Sequence, residues 1–167
     1  MPRSDQGALV DRYSIIPRSL IFVFRGDEVL LIKGSPSKRL WANKYNGIGG
    51  HIERGEDALS AARRELAEET GLRDVDLRLA GTVMVDADEA RGIGLFVFTG
   101  SYSQGQLVES SEGVLEWVAM SRLQEYALVE DLYTLLPRIA KIGPCDPPFS
   151  ALYFYDEHDQ MQIKFAA

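Results

Sequence analysis

Residues 57–70 constrain this chain more than any other stretch. They are rich in Ala, Leu, Arg and Glu, hold no internal Pro or Gly, and stop at Gly71. That composition predicts a helix, with Gly71 in the C′ position that ends it. β-rich stretches stand on both sides. Residues 19–24 and 29–33, joined by the turn 25–28, read as a hairpin, and 77–85, 93–102 and 114–118 read as further strands. Residues 151–155 and 161–165 close the chain as two more strands, with short helices expected at 121–126 and 130–142. Pro137 should kink the second of these or mark its start. A long helix set among strands must bury its apolar stripe on a sheet, so the fold class is α/β (α+β) with a mixed sheet.

At 167 residues the chain has room for one domain, expected at 18–167 behind a loosely ordered tail at 1–17. Hydrophobic and charged contents of 46% and 26% exclude wholesale disorder. The longest apolar runs, 20–24 and 95–98, are strand-sized, and the first 17 residues lack the apolar core of a signal peptide. Cys145 is the only cysteine, which fits a reducing cytoplasm, and nothing in its Pro-rich loop marks it as reactive. The net charge of −7 argues against binding a nucleic-acid polymer or a membrane. The charge is uneven: residues 1–50 carry eight basic and four acidic groups, whereas 51–100 carry six and eleven. A polyphosphate bound to such a chain needs a divalent cation between it and the carboxylates.

On the predicted helix, Glu65, Glu68 and Glu69 stand at i, i+3 and i+4 and share one patch. Leu59, Ala62 and Leu66 form the adjacent apolar arc that docks on the sheet, which places the three acids at its edge. Taken alone, such acids read as a solvated face or as an oxygen cluster suited to Mg²⁺ or Mn²⁺. The wider spacing decides between the two. From Gly50 the chain reads Gly50, five residues, Glu56, seven residues, Arg64-Glu65-Leu66, one residue, Glu68-Glu69, one residue, Gly71-Leu72. At average residue frequencies those positions match by accident at about one start in 10⁹ or fewer.

This pattern resembles the Nudix box at every defined position, and the resemblance to Nudix hydrolases extends over about residues 19–165. It implies an α/β/α sandwich with a mixed curved sheet and a strand–loop–helix–loop motif. It also implies Mg²⁺- or Mn²⁺-dependent hydrolysis of a nucleoside diphosphate linked to another group. By resemblance the metal ligands are the Gly49 carbonyl, Glu65, Glu68 and Glu69, with Glu65 as general base, while Gly50 allows close backbone approach. Arg64 is expected to point away from the metals and to hold Glu56 or Glu69. Glu112 is the expected late carboxylate, with Glu109 and Glu116 as competitors.

Outside the box the chain is similar to MutT-like triphosphatases that clear oxidised purine nucleotides such as 8-oxo-dGTP. Asn46, in Tyr45-Asn46-Gly47-Ile48-Gly49-Gly50, matches the residue that reads the purine edge, and otherwise serves as a turn residue. Glu130 and Asp131 match an acidic pair that bonds the base, or else supply charge at a helix N-terminus. Lys33 and Lys44, with Lys38 and Arg39, meet the phosphates if their loop hangs over them, and at least two of the four otherwise read as solvated loop charges. Two positions depart from the pattern. Leu128 stands where eukaryotic members stack a Trp, so a ring would have to come from Trp41 or Phe22. His51 follows the second glycine where Lys is more usual. Trp117 is core or ligand stack. A small nucleotide is the expected partner, and a monomer or homodimer the expected state. Other readings are hydrolysis of ADP-ribose or a dinucleoside polyphosphate, or a sensor without turnover; every box carboxylate is present, which argues against the sensor.

Overall fold

A computed structural model of the chain describes residues 2–7, 12–37, 40–108 and 112–166. Strands β1 (Ser14–Arg25) and β2 (Glu28–Gly34) form the expected hairpin, followed by the two-residue β3 (Tyr45–Asn46), helix α1 (Ala58–Thr70), β4 (Arg78–Val85) and β5 (Arg91–Ser101). The chain continues through β6 (Gly113–Ala119), a 3-10 turn (Met120–Glu125), α2 (Leu132–Ile139), β7 (Phe149–Tyr155) and β8 (Met161–Phe165). One mixed sheet runs β3-β2-β1-β5-β4-β7-β8, with β6 paired to β2. The β1–β5 and β4–β7 pairs are parallel, and the other strand pairs are antiparallel.

Residues of β1 alternate between two cores. Ile21 and Val23 pack with Ala62 and Leu66 of α1, while Leu20 and Phe22 pack with Leu132, Leu135 and Leu136 of α2. With a helix on each face, the run 20–23 is buried without interruption, as a strand covered on both sides must be. The layers are therefore helix, curved sheet, helix. Among the described residues no helix is long and apolar enough to cross a membrane.

Three boundaries differ from the sequence reading. β1 begins at Ser14, because residues 14–17 already pair in parallel with 91–94, so the stretch before Pro17 is not all tail. The first described residues also include a 3-10 turn at Arg3–Gln6. Pro137 neither starts nor breaks α2; it sits in the last turn of an eight-residue helix, where one missing N–H costs little.

The hairpin forks, and the fork positions the site. β1 and β2 share only the pairs Phe24↔Val29 and Arg25↔Glu28 before they diverge. Residues 45–51 fill the gap: Tyr45 and Asn46 pair with β2, and Ile48 then bonds Ile21 in both directions, at 2.7 and 3.1 Å. Ile48 is fully buried and anchors this Gly-rich segment beneath α1.

Candidate active site

Helix α1 is set by its caps. Oδ1 of Asp57 accepts the backbone N–H groups of Leu59 and Ser60, both at 2.9 Å, and Gly71 closes the helix in the left-handed conformation (φ 78°). The Ser60 hydroxyl leads the causes that hold the Asp57 carboxyl below its ordinary range. Docking Ala62 and Leu66 on the sheet turns Glu65 and Glu69 toward the fork, where Glu69 is buried.

Gly49 and Gly50 make that approach possible. Gly49 has φ 147°, and a Cβ there would lie 2.2 Å from the Ser19 carbonyl oxygen. Its N–H donates to Oε2 of Glu69 at 3.3 Å. A Cβ on Gly50 would lie 2.5 Å from Oε1 of Glu65. Gly49 is required both by its positive φ and by its close approach to Ser19, whereas Gly50 makes room for the end of Glu65.

Arg64 ties the acids together. Its Nε and Nη2 donate to the two oxygens of Glu56 at 2.7 and 2.9 Å, and Nη2 also reaches the His51 carbonyl at 3.1 Å. Nη1 donates to Glu65 at 2.8 Å and to Glu68 at 3.2 Å. The helical angle points Arg64 away from the metals, yet its long side chain also reaches Glu65 and Glu68, and of its two expected partners it holds Glu56. The Arg64 hydrogen bonds hold the Glu56 carboxyl at about 2, and they push the guanidinium pKa upward.

Glu65, Glu68, Glu69, Glu112 and Gly49 all border one cavity of about 770 Å³. The donor set is all oxygen, which suits a hard divalent cation. Among the described residues no three acids enclose an ion as they stand, because Arg64 engages Glu65 and Glu68. Of the competitors for the late carboxylate, Glu109 lies outside the described residues. Glu116 is committed elsewhere, accepting from the Tyr45 hydroxyl at 2.5 Å and the Tyr126 hydroxyl at 3.0 Å. Burial, followed by the bond to Glu116, pushes Tyr45 up to about 12.

Asn46, Lys44, Glu130 and Asp131 border the same cavity. Asn46 uses Oδ1 to accept the N–H of Gly47 at 2.8 Å, so it serves the turn. Lys44 lies 3.7 Å from Glu130, an exposed side chain. Asp131 precedes α2, and its carbonyl accepts the N–H groups of Thr134 and Leu135, but its side chain makes no capping hydrogen bond. Burial pushes its carboxyl up to about 6, offset in part by the backbone N–H groups of Asp131 and Leu132.

Several expected residues lie elsewhere. Lys33 is outside the cavity, on β2 between Tyr45 of β3 and Val114 of β6, with its ammonium 5.6 Å from the centre of the Tyr45 ring. Lys38 and Arg39 fall outside the described residues. Phe22 and Leu128 are core residues and offer no ring or surface for stacking. Trp117 packs edge-on to Tyr102 under the Arg25 guanidinium, whereas Trp41, 45% exposed, borders the cavity. His51 borders it too.

The sequence reading missed Arg18, Ser19 and Tyr153. All three line the cavity, and Arg18 Nε, Ser19 Oγ and the Tyr153 hydroxyl are buried without a hydrogen-bond partner among the described residues. The available signal was two polar residues just before the apolar run 20–24 of β1, and a Tyr on the inward side of β7.

A family model described as NUDIX domain matches residues 16–139. The oxidized purine nucleoside triphosphate hydrolase of Danio rerio is 31% identical over 106 residues, covering 63% of this chain and 67% of that protein. An NAD-capped RNA hydrolase NudC of Pseudomonas syringae pv. syringae is 31% identical over 100 residues, covering 60% of this chain and 34% of that protein. Among solved structures, a MutT protein from Bacillus halodurans superposes with a TM-score of 0.74 at 22% identity, covering 90% of this chain and 97% of its own. The NUDIX domain of Shewanella oneidensis NrtR, complexed with ADP ribose, superposes with a TM-score of 0.64 at 18% identity, covering 84% and 98%. These structures share the fold.

Proposed function

Because the chain belongs to the MutT-like Nudix hydrolases, we propose that it hydrolyses a purine nucleoside triphosphate, oxidised purines included, to the monophosphate and pyrophosphate with Mg²⁺ or Mn²⁺. One observation carries this reading: a single cavity is bordered by the α1 carboxylates Glu65, Glu68 and Glu69, by the Asn46 amide and the Asp131 carboxyl, and by apolar residues such as Val85, Ile93 and Leu95. A nucleotide needs all three, acids to hold a cation at its phosphates and polar groups with apolar surface for its base.

Bound at Gly49, Glu65, Glu68, Glu69 and Glu112, the divalent cation would screen phosphate charge and lower the pKa of the attacking water. Glu65, held against Gly50 and Arg64, accepts the proton of that water as its oxygen bonds to phosphorus. The phosphorus–oxygen bond to the leaving group breaks as the new one forms. Attack at the α or the β phosphorus gives the same two products. Arg64 fixes Glu56 and steadies the first turns of α1, while the Gly49 N–H orients Glu69. Lys44 meets the phosphates, and Asn46, Glu130 and Asp131 meet the base. Among all readings, oxidised-purine hydrolysis also draws support from the Danio rerio relative.

The test is pyrophosphate release from a panel of normal and oxidised nucleotides with Mg²⁺, ADP-ribose and dinucleoside polyphosphates included. Glu65→Gln and Glu69→Gln should lose about 10²-fold or more in kcat. A wild type as inactive as these variants on every nucleotide overturns the proposal and favours a sensor.

A further inference from the structure

Tyr153 sits on β7, 2% exposed, and its hydroxyl has no hydrogen-bond partner among the described residues. The register sets it beside Val85 of β4, which in turn pairs with Ile93 of β5, so its stretch of the cavity floor is apolar. Asp131, on the opposite layer, borders the same space, and its charge adds to burial in pushing the phenol's pKa upward. The phenol therefore stays protonated. A buried hydroxyl that faces a cavity takes its acceptor from whatever fills that cavity. An apolar floor with a carboxylate beside it repels phosphate and suits the flat face and polar edge of a base.

We propose that Tyr153 is a specificity-determining residue whose hydroxyl donates to an acceptor on the edge of the nucleobase, next to the carboxylate of Asp131. This rests on the reading of the cavity as a nucleotide site. A hydroxyl donor beside a carboxylate acceptor matches a carbonyl beside a ring N–H, the edge of a 6-oxopurine. Oxidation at the five-membered ring leaves that edge in place, so normal and oxidised 6-oxopurines share the contact.

The experiment compares inosine triphosphate with purine riboside triphosphate, which lacks the 6-oxygen, in wild type, Tyr153→Phe and Asp131→Asn. Wild type should prefer the inosine nucleotide in kcat/KM. Tyr153→Phe keeps the ring and the packing, and should shrink that preference about tenfold, the worth of one hydrogen bond, through KM. Thermal melting checks that each variant folds. An unchanged preference in Tyr153→Phe overturns the proposal while the triphosphatase reading stands. Should wild type hydrolyse neither nucleotide, calorimetric titration of both still decides. A preference in Kd that depends on Tyr153 supports the contact without turnover, and equal or absent uptake overturns it.

Discussion

The guanidinium of Arg64 grips both oxygens of Glu56, at 2.7 and 2.9 Å, across more than two helical turns of sequence. The same group reaches Glu65 and Glu68, so one cation links the residue before the N-cap to the carboxylate edge. Lysine carries the charge but not the planar fork. Arg64→Lys should lower kcat by about 10- to 100-fold and raise the Mg²⁺ concentration for half-maximal activity, both read from a Mg²⁺ titration of turnover. Unchanged values in both would remove Arg64 from the site.

Gly49 and Gly50 should fail differently. Gly49→Ala strains a backbone at φ 147° and drives a methyl group into the Ser19 carbonyl, so thermal denaturation should show a loss of about 1–3 kcal/mol together with lost turnover. At Gly50 the obstructing atom is the free end of Glu65, which can move aside. Gly50→Ala should therefore melt close to wild type yet lose activity, because the displaced carboxylate is the proposed base. Equal melting for both variants contradicts the geometry described here.

Helix α1, its Gly71 cap and the box spacing were legible in the chain because they are local. The strands were legible for the same reason, since alternation and turn residues mark them. The fork was not, because the divergence of β1 from β2 is enforced by Ile48 pairing with Ile21 across twenty-seven positions. Lys33 was misplaced for a related reason: its strand register turns it to the Tyr45 ring and away from the cavity. Tyr153 was hidden because an inward Tyr on a strand looks like any core residue until its hydroxyl is found unpartnered. The hold of Arg64 on Glu56 was legible, but its reach to Glu65 and Glu68 was not, because a helical angle fixes Cβ and not the end of a long side chain.

Lys33 and Lys44 provide a direct contrast. Lys44 borders the cavity and Lys33 does not. Lys44→Ala should raise KM for a nucleoside triphosphate about three- to tenfold, whereas Lys33→Ala should stay within about twofold. Steady-state kinetics on one substrate suffices, and the reverse ranking would contradict the placement of the two side chains.

Asp131 makes stability depend on pH. Its carboxyl is raised from 3.8 to about 6, so the folded state holds the proton more tightly than the unfolded one. That contribution is fully present below pH 3.8 and is lost as pH rises through about 6. Asp131→Asn mimics the protonated form. It should stabilise the protein by on the order of 2 kcal/mol at pH 8, with the gain gone by about pH 4. Urea denaturation across that range checks it, and a gain independent of pH would contradict the burial of a titrating carboxyl.

The central claim is that the acids gathered on α1 beside Gly49 and Gly50 hold a divalent cation under a nucleotide. Calorimetric titration with Mn²⁺ in the presence of a non-hydrolysable nucleoside triphosphate analogue tests it most directly. Wild type should take up the ion with saturable heat, weakened about tenfold or more in Glu65→Gln and Glu69→Gln. The same heat in wild type and both variants, or none in any of them, would contradict it.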